Sequence, residues 1–282
     1  MLSVVEILKA VLFGIVEGIT EWLPVSSTGH MILLDEFVHM NVSREFWDMF
    51  LVVIQLGAIL AVVLLFWKQI WPFDFKRKKG TVIKKEIFTM WFKILAACIP
   101  AAVVGLLFDE FLEKYLYTPV VVAVMLILFG VGFILIENAN RGKRARVRSL
   151  AQLSYKDALM IGVFQLIAAV FPGTSRSGAT ILGGLMLGVS RTVAAEFTFF
   201  LAIPVMLGAS LLKLVKFGFH FTAAEAVLLL VGMAVAFLVS VLVIRFLMGY
   251  IKKHDFKVFG WYRIALGLLV LIYFCGIRSL AG

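Results

Sequence analysis

Apolar residues run along this chain in blocks of roughly twenty, the length a helix needs to cross the hydrocarbon core of a bilayer. Six blocks qualify: 50–67, 91–108, 119–137, 195–216, 225–247 and 261–277. Two further apolar stretches, about 5–38 and about 158–188, are interrupted by polar turns. The first breaks at Trp22-Leu-Pro-Val-Ser-Ser-Thr-Gly-His30 and the second at Phe171-Pro-Gly-Thr-Ser-Arg-Ser-Gly178. Each reads as a helix, a turn and a short helix. Irregular backbone at membrane depth persists only where protein surrounds it or where it lines a wet cavity. The pattern therefore predicts an all-α polytopic membrane protein, with six transmembrane helices and two re-entrant helical hairpins.

The two interrupted stretches align at an offset of 148 residues: Gly14 with Gly162, Ile19 with Ile167, Pro24 with Pro172 and Ser27 with Ser175. Glu17 falls on Gln165, Leu23 on Phe171 and Ser26 on Thr174. The chain is thus expected to be a single membrane domain of two repeats, 1–140 and 150–282, each a hairpin followed by three spans. An odd number of spans per repeat forces the halves into opposite orientations and brings the two hairpin tips together near the midplane.

Composition sharpens this picture. Hydrophobic residues make up 62% of the 282-residue chain and charged residues only 16%, against about 45–50% and about 25% in an ordinary globular domain. Mean hydropathy is +1.04. A soluble enzyme and a disordered chain are both excluded. The N-terminal stretch carries Glu6, Glu17 and Glu21 without a basic leader, so no cleaved signal is expected there. Cys98 and Cys275 lie in apolar runs and give neither a disulfide framework nor a thiolate metal site.

Basic residues exceed acidic ones by 27 to 17, and in such a chain the excess orients loops; no nucleic acid is expected as a partner. Basic residues gather in 68–90, 138–157 and 248–259, which should be cytoplasmic, whereas an acidic loop at 109–118 and the loop at 217–224 should lie outside. This arrangement puts both termini and the base of the first hairpin outside. The base of the second hairpin, near Arg191, falls inside.

The turns hold the candidate chemistry. Glu17 and Glu21, four residues apart, share one helix face. A carboxylate at bilayer depth costs roughly 2.5–3.5 kcal/mol, and a cation or a shared proton would relieve the pair. Ser26, Ser27 and His30 follow; the hydroxyls suit a turn, but Ser27 with His30 also suits nucleophilic attack or proton transfer. In the second turn Arg176 stands among Ser175, Ser177, Thr180 and glycines at a helix start, a setting suited to phosphate oxygens or to pairing with Glu17 or Glu21. The halves are complementary: carboxylates, hydroxyls and His from one, Arg and hydroxyls from the other. The set suggests phosphoryl transfer or phosphate-ester hydrolysis within a membrane.

Glu17-Gly-Ile-Thr-Glu21-Trp-Leu-Pro-Val-Ser-Ser-Thr-Gly-His30 and Pro172-Gly-Thr-Ser-Arg-Ser-Gly-Ala-Thr180 resemble the two motifs of the bacterial undecaprenyl-diphosphate phosphatases, the bacitracin-resistance family. The resemblance runs over the whole chain in length, motif order and span pattern. It implies hydrolysis of undecaprenyl diphosphate to undecaprenyl phosphate and inorganic phosphate, which recycles the lipid carrier of cell-wall synthesis and confers bacitracin resistance. It further implies a divalent cation, Mg2+ or Ca2+, and a bacterial cell-membrane location with the site opening to the extracytoplasmic side. The matching positions are Glu17, Glu21, Ser26, Ser27, His30, Ser175, Arg176, Ser177 and Thr180. Within that set we expect Arg176, with Ser175 and Thr180, to clamp the diphosphate and Ser27 or a water to attack phosphorus. His30 is expected to move the proton, and Glu17 and Glu21 to hold metal or act as base. The partners expected are a polyprenyl diphosphate and membrane lipids; the oligomeric state is open, a homodimer being one option. The competing reading is a polyprenyl-phosphate transporter or flippase, which inverted repeats with broken helices also suit.

Overall fold

The computed structural model describes residues 3–74, 82–218 and 220–277, with the side chains of residues 106, 109–114 and 275–277 outside that description. Lys76 to Lys79 and the side chains of Asp109, Glu110, Glu113 and Cys275 are therefore outside the described residues. Helices α1 (Val4–Thr20) and α2 (Ser27–Phe37) flank the first polar turn, and α3 (Arg44–Val53) with α4 (Gln55–Ile70) follow. Next come α5 (Lys85–Leu116) and α6 (Pro119–Ala139), then α7 (Tyr155–Val170) and α8 (Arg176–Met186) around the second turn. The chain ends with α9 (Arg191–Phe217), α10 (Ala223–Tyr250) and α11 (Lys257–Leu271), the last running on into a wider turn, Ile272–Ile277.

Six of these units are long and apolar enough to span a bilayer: Arg44–Ile70, Lys85–Gly105, Pro119–Ala139, Arg191–Phe217, Ala223–Tyr250 and Lys257–Phe274. The protein is an all-α, multi-pass membrane protein. Each expected block lies on one of the six, with two differences. The span expected at 50–67 is two helices, α3 and α4, meeting at Ile54. The acidic loop expected at 109–118 is helical as far as Leu116. Carboxylates solvate a helix without ending it; the break comes where Pro119 starts α6 behind the Thr118 cap.

The two interrupted stretches keep their turns. At 1.5 Å per residue, the 17 residues of α1 and the 11 of α2 rise roughly 26 and 17 Å, short of the ~30 Å core. The 16 residues of α7 and the 11 of α8 give similar lengths. These dimensions are compatible with re-entrant hairpins.

Packing exchanges partners between the halves: α1 lies along α10, α7 lies along α5, and α6 crosses α11. The last crossing is reciprocal. A Cβ built on Gly130 would sit 2.7 Å from the carbonyl oxygen of Gly260, and one on Gly260 would sit 2.7 Å from that of Gly130. Only glycine lets the two backbones approach this closely. At the centre of the bundle the middle of α9 is buried on every side, with residues 197–203 all enclosed, as a helical stretch surrounded by protein should be.

Candidate active site

Both polar turns end in the same local structure. Ser26 caps α2 with its side chain accepting from Gly29 N at 3.3 Å, and Ser175 caps α8 by accepting from Gly178 N at 3.1 Å. Their φ angles, 76° and 69°, fall where residues with a side chain rarely go. The caps thus correspond at an offset of 149, one more than the alignment of Ser27 with Ser175 expected. Ser27 and Arg176 are each the first residue of their helix.

Glu21 lies between them and divides its carboxylate. Ser27 Oγ donates to Oε2 at 2.8 Å, and Arg176 Nη2 donates to Oε1 at 2.9 Å. Ser177 Oγ donates to the Glu21 carbonyl at 3.0 Å and lies 3.2 Å from Ser175 Oγ. Arg176 Nη1 donates to the Thr198 carbonyl of α9 at 3.0 Å, and its guanidinium sits 6.0 Å from the centre of the buried Trp22 ring. Burial of this ion pair is deep: the Arg176 and Glu21 side chains are only 13% and 6% exposed. Removing either partner would leave an uncompensated charge in an apolar surround.

Several buried polar atoms here have no partner among the described residues: Glu17 Oε1, Trp22 Nε1, Thr174 Oγ1 and Arg176 Nε, with both amide atoms of Gln165, which aligns with Glu17. Buried polar groups are normally satisfied by protein, water or ligand. The donor set fits a divalent cation in one limited way. Glu17 and Glu21, one helical turn apart, offer two carboxylates, and one oxygen of Glu17 is unclaimed. No group of three or more His, Cys, Asp or Glu side chains is gathered as a metal site among the described residues. That suits an ion held by one or two carboxylates together with substrate phosphate oxygens.

Two expected site residues are placed differently. His30 is not on Ser27. Its Nδ1 lies 2.7 Å from the Ser26 carbonyl and its Nε2 lies 2.7 Å from the Tyr262 hydroxyl, with the two rings parallel. A carbonyl only accepts, so Nδ1 carries a proton; in the neutral ring Nε2 then accepts from Tyr262. Thr180 is fully buried with its hydroxyl committed inside the protein: it donates to the Arg176 carbonyl at 2.9 Å and accepts from Thr198 Oγ1 at 2.8 Å. A threonine that bonds back onto its own helix does not present that hydroxyl to a ligand.

Sequence reasoning passed over Tyr262 and its neighbour Arg263. Arg263 is fully buried and donates to Pro24 O at 3.2 Å, Gly173 O at 3.0 Å and Thr174 O at 2.7 Å, with longer bonds to the carbonyls of Met125 and Leu126 in α6. One guanidinium therefore joins both turns. A lone arginine inside the apolar block 261–277 was the available signal, since an intramembrane charge is a site residue by default.

An arginine–carboxylate–serine centre, set among six spanning helices and built from two broken ones, defines a polytopic membrane protein with a buried, ion-paired polar site. The chain belongs to the family of the bacitracin resistance protein BacA, whose family model matches residues 10–269. It is 67% identical over 281 residues to an undecaprenyl-diphosphatase of Desulfitobacterium hafniense, covering 100% of both chains. It is also 64% identical over 271 residues to an undecaprenyl-diphosphatase of Enterococcus faecalis, covering 96% of this chain and 98% of that one. With undecaprenyl-diphosphatase 1 of Clostridium acetobutylicum it shares 61% over 270 residues, 96% and 98% of the two chains.

Proposed function

We infer that this protein is an integral-membrane phosphatase that hydrolyses undecaprenyl diphosphate to undecaprenyl phosphate and inorganic phosphate. The observation that carries the reading is the divided carboxylate of Glu21, which takes a hydroxyl proton from one hairpin and a guanidinium from the other. Family membership and the names of relatives at 61–67% identity support the same reaction. Binding a headgroup for transport requires no hydroxyl activated by a carboxylate, so the transporter reading leaves Ser27 unexplained.

In the proposed chemistry, Arg176 receives the terminal phosphate. Its Nε is the donor not engaged by protein, and a guanidinium placed at the developing charge stabilises the transition state. Glu21 removes the proton from the attacking oxygen, which is Ser27 Oγ or a water aligned beside it. The new P–O bond forms as the bridging P–O bond breaks, and undecaprenyl phosphate leaves with the bridging oxygen. Attack by water gives inorganic phosphate directly; attack by Ser27 gives a phosphoserine that a second water cleaves to the same product. A divalent cation, Mg2+ or Ca2+, held by Glu17 and Glu21 would neutralise charge on the phosphate oxygens. His30, turned toward Tyr262, would exchange a proton with the released phosphate. Ser26 and Ser175 cap the two helices that shape the phosphate cradle, and Ser177 ties the second turn to the first.

The proposed setting is a bacterial cell membrane, with the site reached from the extracytoplasmic side and the halves related as inverted repeats. The exchanged helix partners and the matching Ser26 and Ser175 caps support the repeat. Phosphate release by the purified protein from a polyprenyl diphosphate, with Mg2+ or Ca2+ present, tests the reaction; no release under those conditions would leave the transporter reading ahead. Labelling of single cysteines with an impermeant reagent in intact cells tests the orientation, and labelling of 141–148 from outside would overturn it.

A further inference from the structure

Away from the two turns, the end of α6, the segment that follows it and the starts of α9 and α11 line an open cavity of about 480 Å³. Four cationic side chains line it, Arg141, Lys143, Arg191 and Lys257, against two acids, Glu137 and Asp255. Each acid pairs with one of these cations, which leaves Arg141 and Lys143 as the cations with no acidic partner in the lining. Glu137 is buried, takes two prongs from Arg191 and also accepts from the backbone N–H of Phe256. Asp255 sits 3.4 Å from Lys257. A second cavity of about 450 Å³ shares Lys143 and Arg191 and adds Arg144, Arg146 and Lys252.

A cytoplasmic loop needs basic residues only to set orientation, and a loop with that role alone needs no fixed shape. This one is pinned. Arg146 N and Val147 N both donate to the Gly188 carbonyl, Ser190 N donates back to Val147 O at 2.9 Å, and Asn140 Nδ2 donates to Leu185 O at 3.0 Å. The frame of the fold does not require the cations either. Ser43 and Ser190 cap α3 and α9 with nearly identical backbone angles, −64°/153° and −64°/150°, and each is followed by arginine. Beside the first cap Lys9 meets Glu6 at 2.7 Å and Asn41 N meets Glu6 at 2.9 Å, an ion pair like that of Arg191 with Glu137.

We propose that the Arg141–Lys143–Arg191–Lys257 cavity binds the phosphate headgroup of an anionic membrane lipid. Its walls are the ends of three spanning helices, which is the level of the bilayer headgroups, and basic pockets between spans are the usual receptors for such groups. The buried Glu137 holds the Arg191 fork in place, so the site is set before the lipid arrives. The site shares no lining residue with the Glu21–Arg176 centre.

The test uses the full chain in nanodiscs of phosphatidylcholine carrying a minor fraction of phosphatidylglycerol, with bound lipid read by native mass spectrometry. We expect the wild type to retain phosphatidylglycerol in preference to phosphatidylcholine. The Arg141→Ala/Lys143→Ala/Lys257→Ala variant should lose that preference by ~10-fold or more, with phosphate release unchanged, and Lys143→Arg/Lys257→Arg should keep it. Lys143→Glu, a single change at an exposed position, serves if the triple variant does not fold, and should lower the preference in the same direction. Equal retention of the two lipids by the wild type, or a preference that survives the charge-removing variants, would overturn the proposal. Displacement of phosphatidylglycerol by inorganic phosphate at about 10 mM would assign the cavity to soluble phosphate and overturn the lipid as its source.

Discussion

Ser27 gives its hydroxyl proton to Glu21, 2.8 Å away, and not to His30, which turns its ring toward Tyr262. In the proposed chemistry the base for the attacking oxygen is therefore the carboxylate that caps the end of α1. Glu21→Gln keeps the size and loses the acceptor charge, so turnover should fall by ~100-fold or more. Ser27→Ala should fall by as much if the serine attacks or aligns the water. Steady-state phosphate release from purified, folded variants decides it, and a Glu21→Gln variant with wild-type turnover would remove Glu21 from the role of base.

Arg176 has its two terminal nitrogens on Thr198 O and Glu21 and its Nε unclaimed. Lysine carries the charge but has all its donors on one nitrogen and lacks the planar fork that reaches these separate sites. Arg176→Lys should weaken transition-state stabilisation by at least ~2 kcal/mol, seen as a drop in kcat/KM. Near-normal kinetics in a folded Lys variant would contradict the clamp.

The Tyr262 hydroxyl holds His30 Nε2 from a helix 232 residues further along the chain. Tyr262→Phe removes one hydrogen bond and should cost roughly 2- to 10-fold in kcat, the worth of a single net bond. His30→Ala should lower kcat further, and the pH profile of the Phe variant should move along the limb that reports His30. An unchanged profile would make the pair a packing contact.

Asp157 opens α7 at the base of the second hairpin. Burial by itself would raise its carboxyl, but hydrogen bonds from Arg146 and Ser154, with the Arg146 charge, hold it below the ordinary carboxylate value. The folded pKa is therefore below the unfolded one. The resulting stability is fully present above the unfolded value of about 3.9 and is lost as pH falls through the folded value. We expect Asp157→Asn to lower the thermal midpoint at neutral pH, with its gap from wild type closing below about pH 3.9. A gap independent of pH would show that the charge contributes nothing.

The α6–α11 crossing leaves no room for a methyl group at Gly130 or Gly260. Gly130→Ala should destabilise the protein by roughly 1–3 kcal/mol, as overpacking generally does. The thermal midpoint in detergent measures this, and an unchanged midpoint would mean that the helices separate freely there.

Much of the architecture was legible because bilayer spans announce themselves in apolar blocks, and the turns stood out as polar punctuation within two of them. The carboxylate pair and Arg176 were visible for the same reason. What hydropathy cannot show is direction. Thr180 has the residue type of a phosphate ligand but bonds its own helix, and His30 has the spacing of a Ser27 partner but faces Tyr262. Arg263 was submerged in the average of its block. The acidic residues after 108 suggested a loop, although only Pro119 ends that helix in physical terms.

Arg263 binds carbonyl oxygens in both turns and no side chain of either. Its grip therefore depends on the path of the backbone and is indifferent to which residues follow that path. Apart from Gly173, at φ 86°, and Gly178, where a Cβ would meet Arg263 Nη1 at 2.8 Å, amino acids at the tips can be exchanged without removing an acceptor from the joint, provided the turns keep their shape. Mechanical integrity and chemical identity are thus assigned to separate residues, and this scaffold could take up a different reaction by substitution at its tips while Arg263 stays in place.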